Sequence, residues 1–181
     1  NEQQMITDCL VSLAFADEII VVDTGNTDST NEIALGYKAK IIKSGGKDFS
    51  QFRNAGRKAA KGDWILYVDA DERITPLLKK EIEQVISSSK AESAYAIPRK
   101  NIYLGREMHF GGWENDYVVR LFRKKRLDNW KNPLHEEPVF TGELGRLQNQ
   151  LVHLSHRNLS SMLEKTLDFT VYEAQLRYAA K

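Results

Sequence analysis

Three acidic residues follow a short apolar stretch, and their spacing suits the binding of a divalent cation. Asp69, Asp71 and Glu72 come directly after residues 64–68, which are mainly apolar and predict a buried strand. Carboxylates this close repel one another, and a hard cation such as Mg²⁺ or Mn²⁺ relieves the repulsion. Mg²⁺ commonly uses one or two carboxylates together with substrate phosphates. The D-x-D spacing therefore indicates a metal–phosphate site, while a solvated turn with Asp71 as a helix cap is the alternative.

A second acidic turn begins at Asp23, after the apolar residues 19–22. Its glycine, Gly25, would let the backbone approach a flat base or a ribose closely. An Asx turn followed by a helix cap explains the same residues without a ligand. Arg53 lies in the helix predicted before the D-x-D strand, and its planar guanidinium suits a phosphate or a base edge. A surface ion pair is the alternative for Arg53.

The elements that must position these residues alternate between helix and strand in the first half of the chain. In open parallel sheets, ligands bind beyond the carboxyl ends of the strands, where both acidic turns are expected. The alternation predicts an α/β fold with a mostly parallel sheet and helices on both faces. Predicted helices cover residues 3–14, 30–36, 50–60, 75–87 and 160–178, and predicted strands cover residues 18–22, 39–43, 64–68, 94–99, 118–123 and 139–141.

Composition excludes several classes of protein. The 181 residues carry 26 Lys plus Arg and 25 Asp plus Glu, so the net charge of +1 gives no sign of a nucleic-acid partner. Hydrophobic residues make up 41% and charged residues 28%, a mixture that argues against wholesale disorder. The single cysteine, Cys9, excludes a disulfide framework and a four-cysteine zinc site, and we expect it in the core, away from the acidic turns. His153 and His156 have a spacing that a strand would not bring together, which argues against zinc.

The sequence around these residues resembles the family 2 glycosyltransferases of the GT-A fold. Residues 21–30 (VVDTGNTDST) and 51–72 (QFRNAGRKAAKGDWILYVDADE) look like the nucleotide-binding half. The second half resembles a bacterial branch, the lipopolysaccharide-core β-glucosyltransferases, which add a sugar to inner-core heptose. The matching positions there are residues 97–101, 104–106 and 111–113, Asp116, and residues 120–123, 134–137 and 145–153.

The resemblance implies one GT-A domain over residues 1–181. Residues 1–90 would form the nucleotide-sugar half, residues 91–158 a small mixed acceptor and catalytic half, and residues 159–181 a C-terminal helix. Members of this family normally have a β-strand ending just before the position of Asn1. We therefore expect the sheet to lack its first strand, which normally contributes nucleotide contacts.

The resemblance also implies roles for individual residues. Asp71, with Asp69, would hold the metal that bridges the donor diphosphate. Asp116 would be the catalytic base that deprotonates the acceptor hydroxyl, with Glu114 as the competing candidate. The residues expected to bind the nucleotide are Asp23, Gly25, Arg53, Asn54 and Asp69. Those expected at the acceptor or the diphosphate are Trp113, Arg120, Arg123 and His135. Arg120 and Arg123 would point to opposite faces of a strand, so one of them is expected at the diphosphate.

The implied activity is that of a metal-dependent, inverting hexosyltransferase using Mn²⁺ or Mg²⁺. The donor would be UDP-glucose and the acceptor a cell-envelope glycan such as lipopolysaccharide inner core, or a peptide side chain. A lipid-linked acceptor would place a cytoplasmic enzyme at the inner membrane face. The basic residues 123–126 would then contact anionic lipid or a phosphorylated acceptor, unless they form a solvated hairpin tip. Two other functions fit the sequence: a nucleotidyltransferase, and a non-catalytic module that binds sugar nucleotides or carbohydrate.

Overall fold

The computed structural model describes residues 1–46, 48–113, 115–156 and 158–179. Their helices are α1 (Ile6–Ser12), α2 (Thr30–Gly36), α3 (Phe49–Ala59), α4 (Pro76–Ser87) and α5 (Leu159–Ala179). Their strands are β1 (Ile20–Asp23), β2 (Lys40–Lys43), β3 (Trp64–Leu66), β4 (Glu72–Ile74), β5 (Ala94–Tyr103), β6 (Arg106–Glu107), β7 (Tyr117–Arg123), β8 (Leu127–Lys131), β9 (Glu137–Phe140), β10 (Leu144–Arg146) and β11 (Leu151–Ser155). A 3₁₀ turn covers Lys124–Arg126.

The first sheet is a parallel pair with helices on both faces, as predicted. β1 and β2 pair in parallel. Successive strand residues point to opposite faces, so Val21 packs with Leu10 of α1 and Ala34 of α2. Val22 instead faces α3, where a Cβ on Gly56 would lie 3.5 Å from its methyl group. This arrangement holds Asp23, the last residue of β1, at the carboxyl edge of the pair.

The second sheet has seven strands and is mixed rather than mostly parallel. Its strands follow the order β3-β7-β5-β11-β4, with β6 and β10 also pairing with β5. β10 and β11 run parallel to β5, while the other pairings are antiparallel. The chain passes from β5 to β7 without a crossover helix, which is the kind of connection that antiparallel strands allow. The α/β class is confirmed, and parallel pairing is confirmed only in part.

The two faces of this sheet are covered differently. On one face Leu78 and Ile82 of α4 pack on Ile97 and Leu121, and all four side chains are almost fully buried. Burying one side chain of this size contributes about 1.5–3 kcal/mol. On the other face the β8–β9 hairpin supplies Trp130, which packs with Phe122 and Tyr67. A hairpin therefore covers a face where a helix was expected.

An apolar groove of about 220 Å³ separates the two sheets. Ile20 of β1 and Ile65 of β3 line opposite sides of it, and Gly56 and Ala60 of α3 also contribute. Among the described residues, no strand pairs with the edge of β1 away from β2, or with the edge of β3 away from β7. In the same part of the chain, no helix combines the length and apolarity needed to cross a bilayer.

Candidate active site

The acidic turn between β3 and β4 is held in place by an arginine. The Arg73 guanidinium donates to the carbonyl oxygens of Ala70, Glu72 and Met5, each at 2.7 Å. Because Met5 directly precedes α1, these bonds fasten the turn to the first helix. β11 holds the turn from the other side, since the Leu154 N–H donates to the carbonyl oxygen of Asp71 at 2.8 Å.

Two carboxylates and two arginines of this region form a tight network, which Glu136 completes. The fully buried Glu72 lies 2.9 Å from Nη2 of Arg120, and its second oxygen accepts the Asp69 N–H at 2.9 Å. Arg120 also ion-pairs with Asp69. Arg53 lies 2.8 Å from the other Asp69 oxygen and 3.0 Å from Glu136. We call Asp69, Glu72, Arg120, Arg53 and Glu136 the carboxylate–arginine network.

Asp69 and Glu72, the two acidic residues that the network contains at the turn, have pKa values shifted in opposite directions. Desolvation opposes ionisation of Asp69, but Arg120 and Arg53 outweigh it and hold the pKa of Asp69 well below its usual range. Burial raises the pKa of Glu72 above its usual value, despite the neighbouring Arg120. Asp69 is therefore ionised at neutral pH, and guanidinium groups contact both of its carboxylate oxygens.

Asp71, two residues further on, has different surroundings. Its Oδ2 lies 3.8 Å from Nε2 of His153 and 3.9 Å from Nζ of Lys165 on α5. Nδ1 of His153 lies 2.7 Å from Oδ1 of Asn101, an oxygen that can only accept. Nδ1 therefore carries a proton, and in the neutral ring Nε2 presents its lone pair towards Asp71. Burial lowers the pKa of His153 and favours this neutral form.

The acidic turn opens into a cleft of about 580 Å³, a volume within the range of small-molecule sites. Its polar end is lined by Arg53, Asp69, Asp71, His153 and Lys165. Aromatic rings line another part of the cleft, where Phe169 of α5 stacks on Phe49 of α3 with ring centroids 5.8 Å apart. The cleft thus joins a charged end to a flat apolar surface.

The other predicted nucleotide residues organise the backbone near this cleft. The carboxylate of the buried Asp23 accepts the N–H groups of Gly25 and Asn26 and the side-chain amide of Asn31. These hydrogen bonds lower the pKa of Asp23, and Gly25 adopts φ +107°, which favours glycine. This is the Asx-type turn of the alternative interpretation, and it places the neighbouring Thr24 in the cleft lining.

Asn54 binds backbone rather than facing the cleft. Its amide donates to the carbonyl oxygen of Trp130 and accepts the N–H of Trp130, both at 2.9 Å. The reciprocal pair fastens α3 to β8, and both polar groups of the side chain are used in it. A role for Asn54 in nucleotide binding stays a prediction.

Asp116 is held by two residues of β5. Its Oδ2 accepts from Nε and Nη2 of Arg99 and from Nδ2 of Asn101, each at 2.8 Å. Trp113 is partly buried beside Tyr103, with ring centroids 6.5 Å apart. The competing base candidate, Glu114, lies outside the described residues. The structure therefore fixes the orientation of Asp116 against β5.

The remaining predicted residues are dispersed. Arg120 is buried in the network, whereas Arg123 stacks over Trp64 at 4.6 Å from the ring centroid, at the end of β3 away from Asp69. His135 is exposed with φ +54°. The structure thus brings Arg53, Asp69, Asp71 and Arg120 together, and it does not bring Arg123 to them.

The predicted position of Cys9 away from the acidic turns is wrong, and three residues near the site were not predicted there. Cys9 is buried as predicted, but its Sγ lies 3.5 Å from the carbonyl oxygen of Asp69, directly beneath the acidic turn. Burial raises the pKa of its thiol to about 12, so it stays protonated. His153, Asn101 and Lys165 were not predicted at the site. The alternation of apolar and polar residues at 152–155 (VHLS) would have been the signal for a strand that carries His153.

Comparison with known proteins identifies the family of this chain. Residues 1–148 match the family described as Glycosyl transferase family 2. The chain belongs to this family. An uncharacterized glycosyltransferase of Rickettsia typhi is 26% identical over 97% of the chain, and the chain spans 64% of that protein's length. The lipopolysaccharide core biosynthesis glycosyltransferase LpsC of Rhizobium meliloti is 21% identical, covering 96% of the chain and 67% of LpsC.

A solved structure supports the fold of this family 2 member. The crystal structure of S. aureus TarS 1–349 superimposes with a TM-score of 0.57 at 18% identity, covering 86% of this chain and 58% of the TarS 1–349 chain. At this identity the likeness concerns the fold alone. It agrees with the GT-A architecture that the sequence resemblance implied.

Proposed function

We propose that this family 2 chain is a metal-dependent, inverting glycosyltransferase that uses a nucleotide-diphosphate sugar. The observation that carries the proposal is the pairing of Asp71 with His153 inside the cleft. In the neutral form of His153, which burial favours by lowering its pKa, a carboxylate oxygen and an unprotonated imidazole nitrogen face each other at 3.8 Å. Two acceptors in this arrangement have no hydrogen to share, and a cation between them would satisfy both.

The residues present fit a divalent cation whose coordination shell is completed by substrate oxygens. Among the described residues, no group of three or more His, Cys, Asp or Glu side chains is arranged to hold a metal ion. Mg²⁺ and Mn²⁺ do not require such a cage, because phosphate and water oxygens supply further ligands. Asp71 and His153 would hold the ion. When bound, it would neutralise charge developing on the departing nucleoside diphosphate.

The other residues of the chain would position the reactants. The carboxylate–arginine network holds the acidic turn so that Asp71 projects into the cleft. Asp116 would accept the proton of the acceptor hydroxyl as that oxygen attacks the anomeric carbon. The new C–O bond forms as the bond to the diphosphate oxygen breaks, which inverts the anomeric configuration. Arg99 contacts one carboxylate oxygen of Asp116 through both Nε and Nη2, and keeps the side chain in one orientation.

The resemblance and the LpsC relative lead us to propose UDP-glucose as the donor and a cell-envelope glycan, such as lipopolysaccharide inner core, as the acceptor. For a lipid-linked acceptor we propose a cytoplasmic enzyme that binds the inner membrane face peripherally. Exposed Lys61, Lys125 and Arg126 would supply basic contacts, because the Lys124 N–H donates to the carbonyl oxygen of Asp63 and brings these segments together.

A thermal-shift titration tests the donor-binding part of the proposal. UDP alone, UDP with Mn²⁺, and GDP or ADP with Mn²⁺ are added to the purified 181-residue chain. A ligand at 100 times its Kd stabilises the folded state by about 2.7 kcal/mol. We expect a shift that needs both UDP and Mn²⁺. A folded protein that responds to none of these nucleotides would contradict the proposal.

The Asp116→Asn variant tests catalysis separately from binding. We expect donor affinity to stay unchanged and the transfer rate to fall by about 10²–10⁴-fold, because the base is lost. Asp128→Asn, an exposed acid on β8, is the matched control and should keep full activity. Normal transfer by the Asp116 variant would exclude Asp116 as the base, and a carbohydrate-binding module would show no transfer even before mutation.

A further inference from the structure

We propose that Asn101 is a positioning residue that couples the orientation of Asp116 to the chemical form of His153. The inference rests on the proposed function, because it concerns the candidate base and the candidate cation site. Asn101 lies on β5 and is 2% exposed. Its Nδ2 donates to Asp116 at 2.8 Å, and its Oδ1 lies 2.7 Å from Nδ1 of His153.

Strand pairing brings these groups together. β5 and β11 run parallel, with Asn101 directly opposite His153. Arg99 is two residues earlier on β5, so its side chain shares the face of Asn101, and both side chains bind Asp116. The chain of contacts therefore runs from Asp116 through Asn101 and His153 to Asp71.

An amide is the side chain that these two neighbours require. Asp116 needs a donor when ionised, and the protonated Nδ1 of His153 needs an acceptor. Asn101 supplies both from one small planar group, and neither an aliphatic residue nor an ionised carboxylate would. By accepting from Nδ1–H, Asn101 selects the tautomer whose Nε2 lone pair points at Asp71. A partner of this kind sets the ring orientation and the metal affinity of a ligating histidine.

Two variants separate the two halves of this role. Asn101→Ala removes both contacts, and we expect Mn²⁺ affinity in the presence of UDP to fall by about 10–100-fold. Asn101→Asp keeps an acceptor for His153 but faces Asp116 with a second carboxylate. We expect it to hold Mn²⁺ within about threefold of the parent chain while transfer falls by about 10²-fold, because the base is displaced. Asn149→Ala, which removes a partly buried amide bonded to Glu81, is the matched control.

The measurements are Mn²⁺ binding by electron paramagnetic resonance with UDP, transfer rate, and ¹⁵N chemical shifts of the His153 ring. In the parent chain we expect Nδ1 to be protonated and Nε2 unprotonated, and in Asn101→Ala a mixture of tautomers. The ring spectrum is read without metal or nucleotide, so it reports on Asn101 even if the proposed function fails. If Asn101→Ala does not fold, the Mn²⁺ affinity and transfer rate of Asn101→Asp and the His153 ring spectrum of the parent chain still test the role of Asn101.

The outcomes distinguish the two proposals. A parent chain that binds no Mn²⁺ with UDP contradicts the proposed function. If the parent chain binds Mn²⁺ and UDP, and Asn101→Ala matches it in Mn²⁺ affinity, transfer rate and ring spectrum, only the role of Asn101 is overturned. Equal loss of Mn²⁺ affinity in Asn101→Asp and Asn101→Ala would overturn the tautomer argument.

Discussion

Asp69 and Asp71 belong to one turn and are two residues apart, yet their carboxylates have different partners. Asp69 ion-pairs with Arg53 and Arg120, and guanidinium groups contact both of its oxygens. Asp71 instead has the imidazole of His153 at 3.8 Å and the ammonium group of Lys165 at 3.9 Å. Both residues line the cleft, but guanidinium groups contact both carboxylate oxygens of Asp69, whereas the side-chain partners of Asp71 lie at longer range.

The difference shows that a D-x-D motif need not use its two acids alike. A cation bound by Asp69 would be repelled by two guanidinium groups that already contact its oxygens, whereas a cation at Asp71 would meet a half-exposed lysine ammonium at 3.9 Å. We infer that Asp69 holds the turn in shape and Asp71 meets the metal. The following predictions test this division of roles, beginning with the largest expected effect.

Removing the central arginine should unfold the turn. Arg120→Met leaves Glu72 buried and Asp69 with one partner, and breaking a buried ion pair from one side costs about 3–5 kcal/mol. Urea unfolding measures the loss. Arg177→Met on α5, where an exposed pair with Glu173 is worth about 0.3–0.5 kcal/mol, is the control. A loss below about 1 kcal/mol for Arg120→Met would show that the network does not maintain the turn.

Replacing the histidine should affect metal binding without unfolding the protein. His153→Gln removes the Nε2 ligand. We expect Mn²⁺ affinity in the presence of UDP to fall at least about tenfold, because losing a residue that only supports a metal ligand already lowers affinity by about 10–100-fold. Calorimetric titration measures the affinity, and urea unfolding checks the fold. His109→Gln, an exposed histidine outside the cleft lining, is the control. Unchanged affinity in His153→Gln would remove His153 from the cation site.

Acid should destabilise the network through Asp69. Its pKa is lower in the folded protein than in the unfolded chain, so the folded state binds fewer protons. The stabilisation is therefore complete above the unfolded pKa of about 4 and is lost as the pH falls further. Asp69→Asn removes this titration, so its stability at pH 7 should be lower and its loss between pH 5 and pH 3 smaller. Urea unfolding at each pH gives both quantities, and parallel acid curves for the two chains would refute the assignment.

The smallest effect is expected for the lysine of α5. Lys165 is half-exposed at 3.9 Å from Asp71, and a pair of this kind contributes about 0–1 kcal/mol. Lys165→Ala should therefore change the free energy of unfolding by less than about 1 kcal/mol in urea. A loss comparable with that of Arg120→Met would mean that Asp71 stabilises the fold as strongly as Asp69 does.

Much of the first half of the fold was predictable because its signals are local. The predicted helix 30–36 coincides with α2, and both acidic turns follow strands as the apolar patterns indicated. The second half was harder, because β6, β8, β10 and β11 are only two to five residues long. Short strands in mixed sheets take their stability from partners distant in sequence, and no local pattern reports those partners.

The same limit explains the site. Asp71 was identified from its spacing, but its neighbour His153 is supplied by β11, which pairs with β4 so that His153 lies opposite Glu72. The position of Cys9 beneath the turn depends in the same way on the docking of α1 through Arg73. Sequence spacing indicated which residue types could do the chemistry, and long-range pairing decided which of them meet.

The most direct test of the division between the two acids is Mn²⁺ binding by Asp71→Asn and by Asp69→Asn. Electron paramagnetic resonance measures the binding, with UDP at saturating concentration. The account predicts that Asp71→Asn keeps the stability of the parent chain within about 1 kcal/mol and loses Mn²⁺ binding. Asp69→Asn, measured under conditions where it is folded, should be less stable and should retain Mn²⁺ binding within a few-fold. Retained binding in Asp71→Asn together with lost binding in folded Asp69→Asn would contradict the account.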